Sequence, residues 1–401
     1  MNPMCGRVLV LQRLRRLMCG RAAPFRESPS ILMGLCPDLL GRSPGVVFAP
    51  KTSRTSGGAA AIKGVLRLRE RLFCVCLFSV SFFSGCAGIQ SSLDPAGPQA
   101  ERISRLWWLM FWVCLVVFAT VIVALGYALR RGRRREEADN SPEAERRTTR
   151  IIAGSLAVTV IILFAFMIAD FSTGRALGSL QTSNAIEIKV TGRQWWWDFE
   201  YQGAEPNLNV RVANEIHIPT GRPIKFEMTS QDVIHSFWAP NLQGKTDLLT
   251  GYRTVTWLQA DRPGAYRGQC AEYCGHQHAH MAFMVIAEPP DQFNAWLDNQ
   301  RRHAPQPSTA EQQAGERLFM TRACVMCHRI RGTDAGATTG PDLTHLATRL
   351  TIAAGTLANN RGSLGAWIVD SQSIKPGNKM PPNELSGEEL NALLSYLESL
   401  K

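Results

Sequence analysis

The sequence predicts a multidomain chain in three parts: a two-helix transmembrane hairpin, an all-β domain and a small all-α domain at the carboxyl end. Three observations predict this. Two apolar stretches, about 106–129 and 151–169, are each long enough to cross a hydrocarbon core of roughly 30 Å. Between Ala185 and Ala287 short alternating segments follow one another between turn residues. Beyond Ser308 the pattern turns helical, with two capping signatures. At 401 residues the chain is also too long for one ordinary domain.

Residues 1–60 show no sustained helical or strand period and many Gly, Pro and Ser. They read as disordered, or as an over-long translation start. From Arg67 a basic run gives way to the apolar stretch Leu72–Phe83 and then Ser84-Gly85-Cys86, the layout of a signal peptide. Cys86 after Ser-Gly resembles the lipobox of bacterial lipoproteins and is a candidate for lipidation, although Phe83 stands where Leu is preferred. An ordinary signal with an incidental cysteine is the alternative. Residues 1–85 thus read as an extension plus signal segment, and residues 86–180 as the membrane hairpin.

The net charge of +11 suggests nucleic-acid binding until it is partitioned. Residues 1–85 hold 13 Lys+Arg against 3 Asp+Glu, whereas residues 151–401 hold 21 against 23. The folded mass is near neutral, so no nucleic-acid partner is expected. The remaining excess sits at 130–150, which holds Arg130, Arg131, Arg133, Arg134, Arg135, Arg146, Arg147 and Arg150. The positive-inside rule makes this loop cytoplasmic and everything after Asp170 external. Trp107, Trp108 and Trp112 lie near one end of the first span, where interfacial aromatics belong.

Segments such as A-I-E-I-K-V (185–190), N-L-N-V-R-V (207–212), P-I-K-F-E-M (223–228) and Y-R-T-V-T-W (252–257) predict strands of a sandwich or barrel over 181–298. Residues 291–300 read as a short helix, and 299–308 contains a linker rich in Pro and polar residues. Within 309–401, Thr309-x-x-Gln312 and Ser386-x-x-Glu389 have capping-box spacing, so helices should begin there.

The chemistry is concentrated in two motifs. Between Cys270 and Met281 the chain reads C-A-E-Y-C-G-H-Q-H-A-H-M, placing soft sulfur and imidazole donors on one short loop. Such donors suit copper, zinc or iron–sulfur rather than magnesium or calcium. Cys270 and Cys274 could bridge two coppers, with His278, Met281 and the Glu272 carbonyl as further ligands. A second imidazole must come from elsewhere, and His235 in V-I-H-S-F-W-A-P is the best candidate. A structural zinc held by two Cys and two His is the competing reading. The second motif, Cys324-Val-Met-Cys327-His328, has the C-x-x-C-H pattern of covalent haem attachment. His328 would be the proximal ligand and Met380 the distal one, with His345 and Met320 as rivals. After residue 114 only the four motif cysteines remain, so no pair is left for a structural disulfide.

V-I-H-S-F-W-A-P, the cysteine loop and Gly192-Arg193-Gln194-Trp195-Trp196-Trp197-Asp198-Phe199-Glu200-Tyr201 together resemble the cytochrome c oxidase subunit II family, over about residues 100–288. The resemblance implies a cupredoxin-like Greek-key domain with a binuclear CuA centre on His235, Cys270, Glu272 (through its carbonyl), Cys274, His278 and Met281. It also implies that the Glu272 side chain helps to hold magnesium shared with subunit I, and that Trp195 is the surface tryptophan through which electrons enter. Trp196 and Phe199 stand where Tyr is common in the family. His276 and His280 alternate with His278 and are not expected to be ligands. Neither Glu143 nor Glu145 can be matched to the family's proton-channel carboxylate. Quinol oxidases share the fold but lack the copper ligands, all six of which are present here.

The carboxyl-terminal part resembles a class I cytochrome c. The segment Gly377-Asn378-Lys379-Met380-Pro381-Pro382 is similar to the axial-methionine segment, and Gly340-Pro341-Asp342-Leu343 to the segment after the haem histidine. Gly315 and Tyr396 would allow the close crossing of first and last helices. His/Met ligation raises the reduction potential, as suits a donor. The combined resemblance implies a caa3-type subunit in the bacterial inner membrane, with its copper and haem domains on the outer side. Oxidase subunits I and III would be partners, and an upstream cytochrome c or bc1-type complex the donor. The expected function is transfer of electrons from haem to CuA and on to subunit I for oxygen reduction coupled to proton translocation. The alternatives are the electron-accepting subunit of a CuA nitric oxide reductase, or an exported copper-handling protein.

Overall fold

A computed structural model describes residues 88–132, 141–178 and 184–401, all within the unit Leu72–Lys401. The amino-terminal extension with its signal segment, Cys86 and the arginine-rich stretch 133–140 lie outside these residues.

Helices α1 (Pro98–Gly132) and α2 (Pro142–Gly178) contain the two apolar stretches, and both are long and apolar enough to cross a membrane. Phe118, Val123, Leu156 and Phe171 are all exposed along them. A helix apolar on every side and uncovered by any described residue is matched to a hydrocarbon surround. Near the start of α1, Trp107, Trp108, Phe111 and Trp112 stack and edge against one another. The foot of the hairpin is tied by hydrogen bonds: Arg102 donates to the Ala176 carbonyl at 2.8 Å, and Gln99 to that of Trp257 at 2.7 Å.

Ten strands follow: β1 (Ile186–Arg193), β2 (Trp196–Tyr201), β3 (Val210–Ala213), β4 (Glu215–Pro219), β5 (Ile224–Ser230), β6 (His235–Trp238), β7 (Thr246–Leu248), β8 (Thr254–Leu258), β9 (Gly264–Cys270) and β10 (Ala282–Glu288). They form two five-stranded sheets, ordered β3-β2-β1-β5-β8 and β4-β10-β9-β6-β7. Alternation decides which side chains face inward. Ile188 and Val190 on β1 are buried, as are Ile224, Phe226 and Met228 on the parallel neighbour β5. Between the sheets Trp197, Phe199, Phe226, Phe237 and Phe283 are fully buried, with Phe237 stacked on Phe283 at 4.4 Å. Burying each such ring contributes roughly 1.5–3 kcal/mol. Cys270, Cys274 and Met281 belong to the same apolar cluster, so the cysteine loop is anchored directly in this core. The result is an all-β sandwich, as the alternation predicts, of the cupredoxin-like kind that the resemblance implies.

One strand differs from expectation. The segment 207–212 is extended only from Val210, because Pro206–Leu208 form a 3-10 turn. Asn209 stabilises that turn by accepting from the Gly203 N–H at 2.9 Å and donating to Glu200 at 2.9 Å.

Helix α3 (Pro290–Arg301) closes the sandwich, with Trp296 stacked on the His217 ring at 4.3 Å. Beyond it come α4 (Ala310–Thr321), a short β11–β12 hairpin (Thr351–Ile352 and Leu357–Ala358), α5 (Arg361–Val369), α6 (Ser371–Ile374) and α7 (Gly387–Ser399). Both expected capping boxes are formed, Thr309 with Gln312 and Ser386 with Glu389. Helices α4 and α7 cross at Gly315, where an added Cβ would lie 2.1 Å from the Ala392 carbonyl oxygen and 2.7 Å from the Tyr396 Cβ. Only glycine permits that approach.

Candidate functional site

The loop between β9 and β10 is closed at its base by the Cys270 N–H donating to the Met281 carbonyl at 2.9 Å. Gly275, at φ +108°, takes a backbone conformation that side chains resist, and a Cβ there would press on the Trp195 ring at 3.1 Å. The turn brings Cys270 Sγ to 3.7 Å from Cys274 Sγ. Cys270 Sγ also lies 3.2 Å from the Glu272 carbonyl oxygen and 3.8 Å from His235 Nδ1. Cys274 Sγ lies 3.6 Å from His278 Nδ1 and 3.9 Å from Met281 Sδ. All six donors expected from the sequence therefore share one small cluster. His235 and Met281 are 0 % exposed, and Cys270 and Cys274 are buried as well.

His235 reaches the cluster because β6 pairs with β9, with Phe237 opposite Cys270. An added Cβ on Gly192 would strike its ring at 2.7 Å, so β1 must be glycine there. Its Nε2 donates to Asp232 at 2.8 Å, which leaves Nδ1 turned toward the thiols. A ligating imidazole needs that kind of outer support to fix its tautomer. Asp232 was not singled out by sequence reasoning; its one signal is its place three residues before His235. Burial opposes charge on His235, but Asp232 and Cys270 outweigh it and raise its pKa. The paired thiols pull apart: a hydrogen bond from Cys274 holds Cys270 down to about 4, while Cys274 itself is pushed up. Two thiols so close part easily with one proton, and a cation is needed to remove the second.

His276 and His280 are exposed, and the His280 ring pairs with Gln277 at 2.8 Å rather than joining the cluster. The Glu272 carboxylate points to the surface, 3.6 Å from Lys245.

Trp195 departs from expectation. It is not at the surface but 9 % exposed, with its indole N–H donating to the Cys274 carbonyl at 2.8 Å. It lines a cleft together with Cys324, Cys327, His328 and Met380. The chain's own carboxyl-terminal domain covers it.

That cleft is walled by Phe319, Leu343, Leu346, Ile352, Trp367 and other apolar side chains. The 3-10 turn Ala323–Met326 carries Cys324 and delivers Cys327 and His328 to the wall. His328 donates from Nδ1 to the Pro341 carbonyl at 2.8 Å, which frees Nε2 as a ligand. Gly340 is needed beneath it, since a Cβ would meet that ring at 2.9 Å. Met380 is fixed by its neighbours: its carbonyl accepts from Ser371 at 2.6 Å and from Gln372 at 2.8 Å. The rivals lie elsewhere. His345 faces the Lys401 and Arg302 carbonyls with its two ring nitrogens, and Met320 packs into the helical core. Two thiols, a freed imidazole and a thioether around an apolar cleft fit a covalently held haem, as the sulfur–imidazole cluster fits a thiophilic metal.

Comparison with known proteins agrees. The model of the cytochrome c oxidase subunit II periplasmic domain matches residues 203–288, and that of cytochrome c matches 312–401. A domain model of unknown function spans residues 7–175. The cytochrome c oxidase subunit 2 of Alkalihalophilus pseudofirmus is 36 % identical over 336 residues, covering 81 % of this chain and 95 % of that protein. This chain belongs to the cytochrome c oxidase subunit 2 family. Subunit 2 of Bacillus subtilis is 30 % identical over 343 residues, covering 79 % of this chain and 94 % of its own length. The crystal structure of the periplasmic domain of subunit II from Bradyrhizobium japonicum is 28 % identical, covering 30 % of this chain and 97 % of that one, with a TM-score of 0.28. The family member described here carries a cytochrome c domain fused at its carboxyl end, and its family implies copper in the first domain and haem c in the second.

Proposed function

We propose that this chain is the electron-accepting subunit of a caa3-type oxidase, with both soluble domains on the outer face of a bacterial inner membrane. In this reading His235, Cys270, Cys274, His278, Met281 and the Glu272 carbonyl hold a binuclear copper centre. Cys324 and Cys327 would attach the haem, and His328 and Met380 would hold its iron. When bound, these groups supply one-electron redox chemistry, with haem as the input and copper as the output toward subunit I, where oxygen is reduced and protons are moved. Subunit III and an upstream cytochrome c or bc1-type donor complete the assembly. A magnesium ion shared with subunit I would draw on the Glu272 carboxylate and on oxygen donors of that subunit.

The observation that carries the reading is the meeting of six donor atoms from β6 and the β9–β10 loop, linked by contacts of 3.2–3.9 Å. What the protein's own residues do is hold geometry. Asp232 orients His235, the sandwich core keeps water from the thiols, and Trp195 spans from the copper loop to the haem cleft. Fusion keeps donor and acceptor at high effective concentration, where a free carrier would have to diffuse and dock. Purified oxidase should therefore turn over with a small reductant and no added cytochrome c. Complete dependence on added cytochrome c would overturn the fused domain's role as the working input.

A further inference from the structure

Lys375 is 3 % exposed, yet among the described residues its ammonium meets no carboxylate. Nζ donates to three backbone carbonyls: Trp195 at 3.0 Å, His280 at 2.9 Å and Ala353 at 3.3 Å. Three acceptors use all three hydrogens of an ammonium, whereas a neutral amine has two hydrogens and would turn a lone pair toward a carbonyl. The geometry therefore selects the charged form, although burial pushes the pKa down to about 7. Burying a charge with no carboxylate beside it is costly, and the nearby Cys274 sulfur offsets that cost only in part.

The three acceptors come from three segments that have to stay in register. Trp195 sits between β1 and β2 and donates to the copper loop. His280 lies in that loop, next to Met281. Ala353 belongs to the haem-side turn inside the β11–β12 hairpin, where Ala353, Ala354 and Gly355 have φ of 54°, 57° and 75°. Left-handed backbone at two successive alanines is unfavourable. The turn nonetheless directs the Ala353 carbonyl at Lys375 and the Ala354 carbonyl at the Ala282 N–H, 2.9 Å away. Around Lys375 the contact continues: Gln277 donates to the Pro376 carbonyl at 2.7 Å, and Lys379 Nζ lies 3.7 Å from Asp232. Lys375 and Pro376 begin the loop that ends at Met380. The same loop thus carries Met380 and grips the cysteine loop.

We infer that Lys375 is a positioning residue for electron transfer between the two centres, locking the methionine loop to the copper loop and Trp195 while its fixed positive charge favours the reduced state of both. This rests on the reading of the two sites given above. A positive charge in a low-dielectric interface acts on both metal groups, because little solvent screens it.

The test uses the intact oxidase complex carrying Lys375→Met, with copper content, the near-infrared copper band and the haem α-band as loading controls. Electron equilibration between haem and copper after flash reduction should slow by at least about tenfold, the scale expected of a small misplacement. The midpoint potentials of both centres should fall. A second variant, Lys375→Gln, keeps an amide donor but loses the charge. It should lower both potentials while equilibrating faster than Lys375→Met, and it carries the test if the methionine variant fails to load. Unchanged potentials in Lys375→Gln, or an unchanged rate in a loaded Lys375→Met complex, would overturn the inference. A wild-type complex without the copper band would overturn instead the reading on which it rests.

Discussion

The cysteine loop and the haem cleft solve the problem of holding a redox group in opposite ways. In the first, every donor already touches another, and the whole set sits at the edge of a sandwich core of stacked aromatic rings. In the second, the donors stand along an apolar cleft, carried by a 3-10 turn on one side and a proline-flanked loop on the other. The sheets anchor Cys270, Cys274 and Met281 directly in a packed core. The small helical domain has few long elements, and its donors sit on turns and loops around the cleft. Donors packed into a core are thus paired with donors spaced around a cleft.

The sharpest way to break this contrast is to remove one donor from each side. Cys270→Ser should abolish the near-infrared copper band and oxidase turnover while leaving the haem α-band and the thermal stability of the helical domain intact. Cys324→Ser should do the converse. Covalent haem staining in denaturing gels should be lost or markedly reduced and the helical domain should become protease-sensitive, with the copper band retained. Loss of both signals in either variant would show that the two sites are not independently built.

A smaller effect is expected at Asp232, which holds the outer nitrogen of His235. Asp232→Asn should weaken copper retention in chelator titrations by roughly 10–100-fold. Next comes the helix crossing. Gly315→Ala places a Cβ against the Ala392 carbonyl and should destabilise the helical domain by about 1–3 kcal/mol in denaturant melts, leaving the copper side unmoved. The smallest effect belongs to His217. Burial opposes its charge, but Glu215 and Glu288 outweigh this and raise its pKa above 6.5. Its contribution is fully present below 6.5 and is lost as pH rises through the higher folded value. The unfolding midpoint of the copper side should therefore drop slightly over that window, and His217→Gln should flatten the slope.

What the sequence revealed was local chemistry. Cys270 to Met281 is legible because five donors fall within twelve residues, and Thr309/Gln312 and Ser386/Glu389 are legible because capping boxes are short-range. Gly315 and Tyr396 could be paired in advance because the first and last helices of such a domain must cross. The sequence did not reveal contacts between distant segments. The resemblance placed Trp195 at the surface, and nothing near it in the chain says that the carboxyl-terminal domain will cover it. Lys375 carries no local signal, since its three acceptors lie at 195, 280 and 353. Asp232 was overlooked because a carboxylate beside a strand usually faces water, and only the turn before β6 brings it onto the imidazole. The late start of β3 has a local cause, Pro206 with the Asn209 side chain, that outweighs the alternation.

The most direct test of the account is metal analysis with electron paramagnetic resonance of the purified, oxidised complex, referred to this subunit. The account predicts two coppers per chain sharing one unpaired electron, together with one covalently bound haem. A single zinc per chain, with no mixed-valence copper signal, would contradict it.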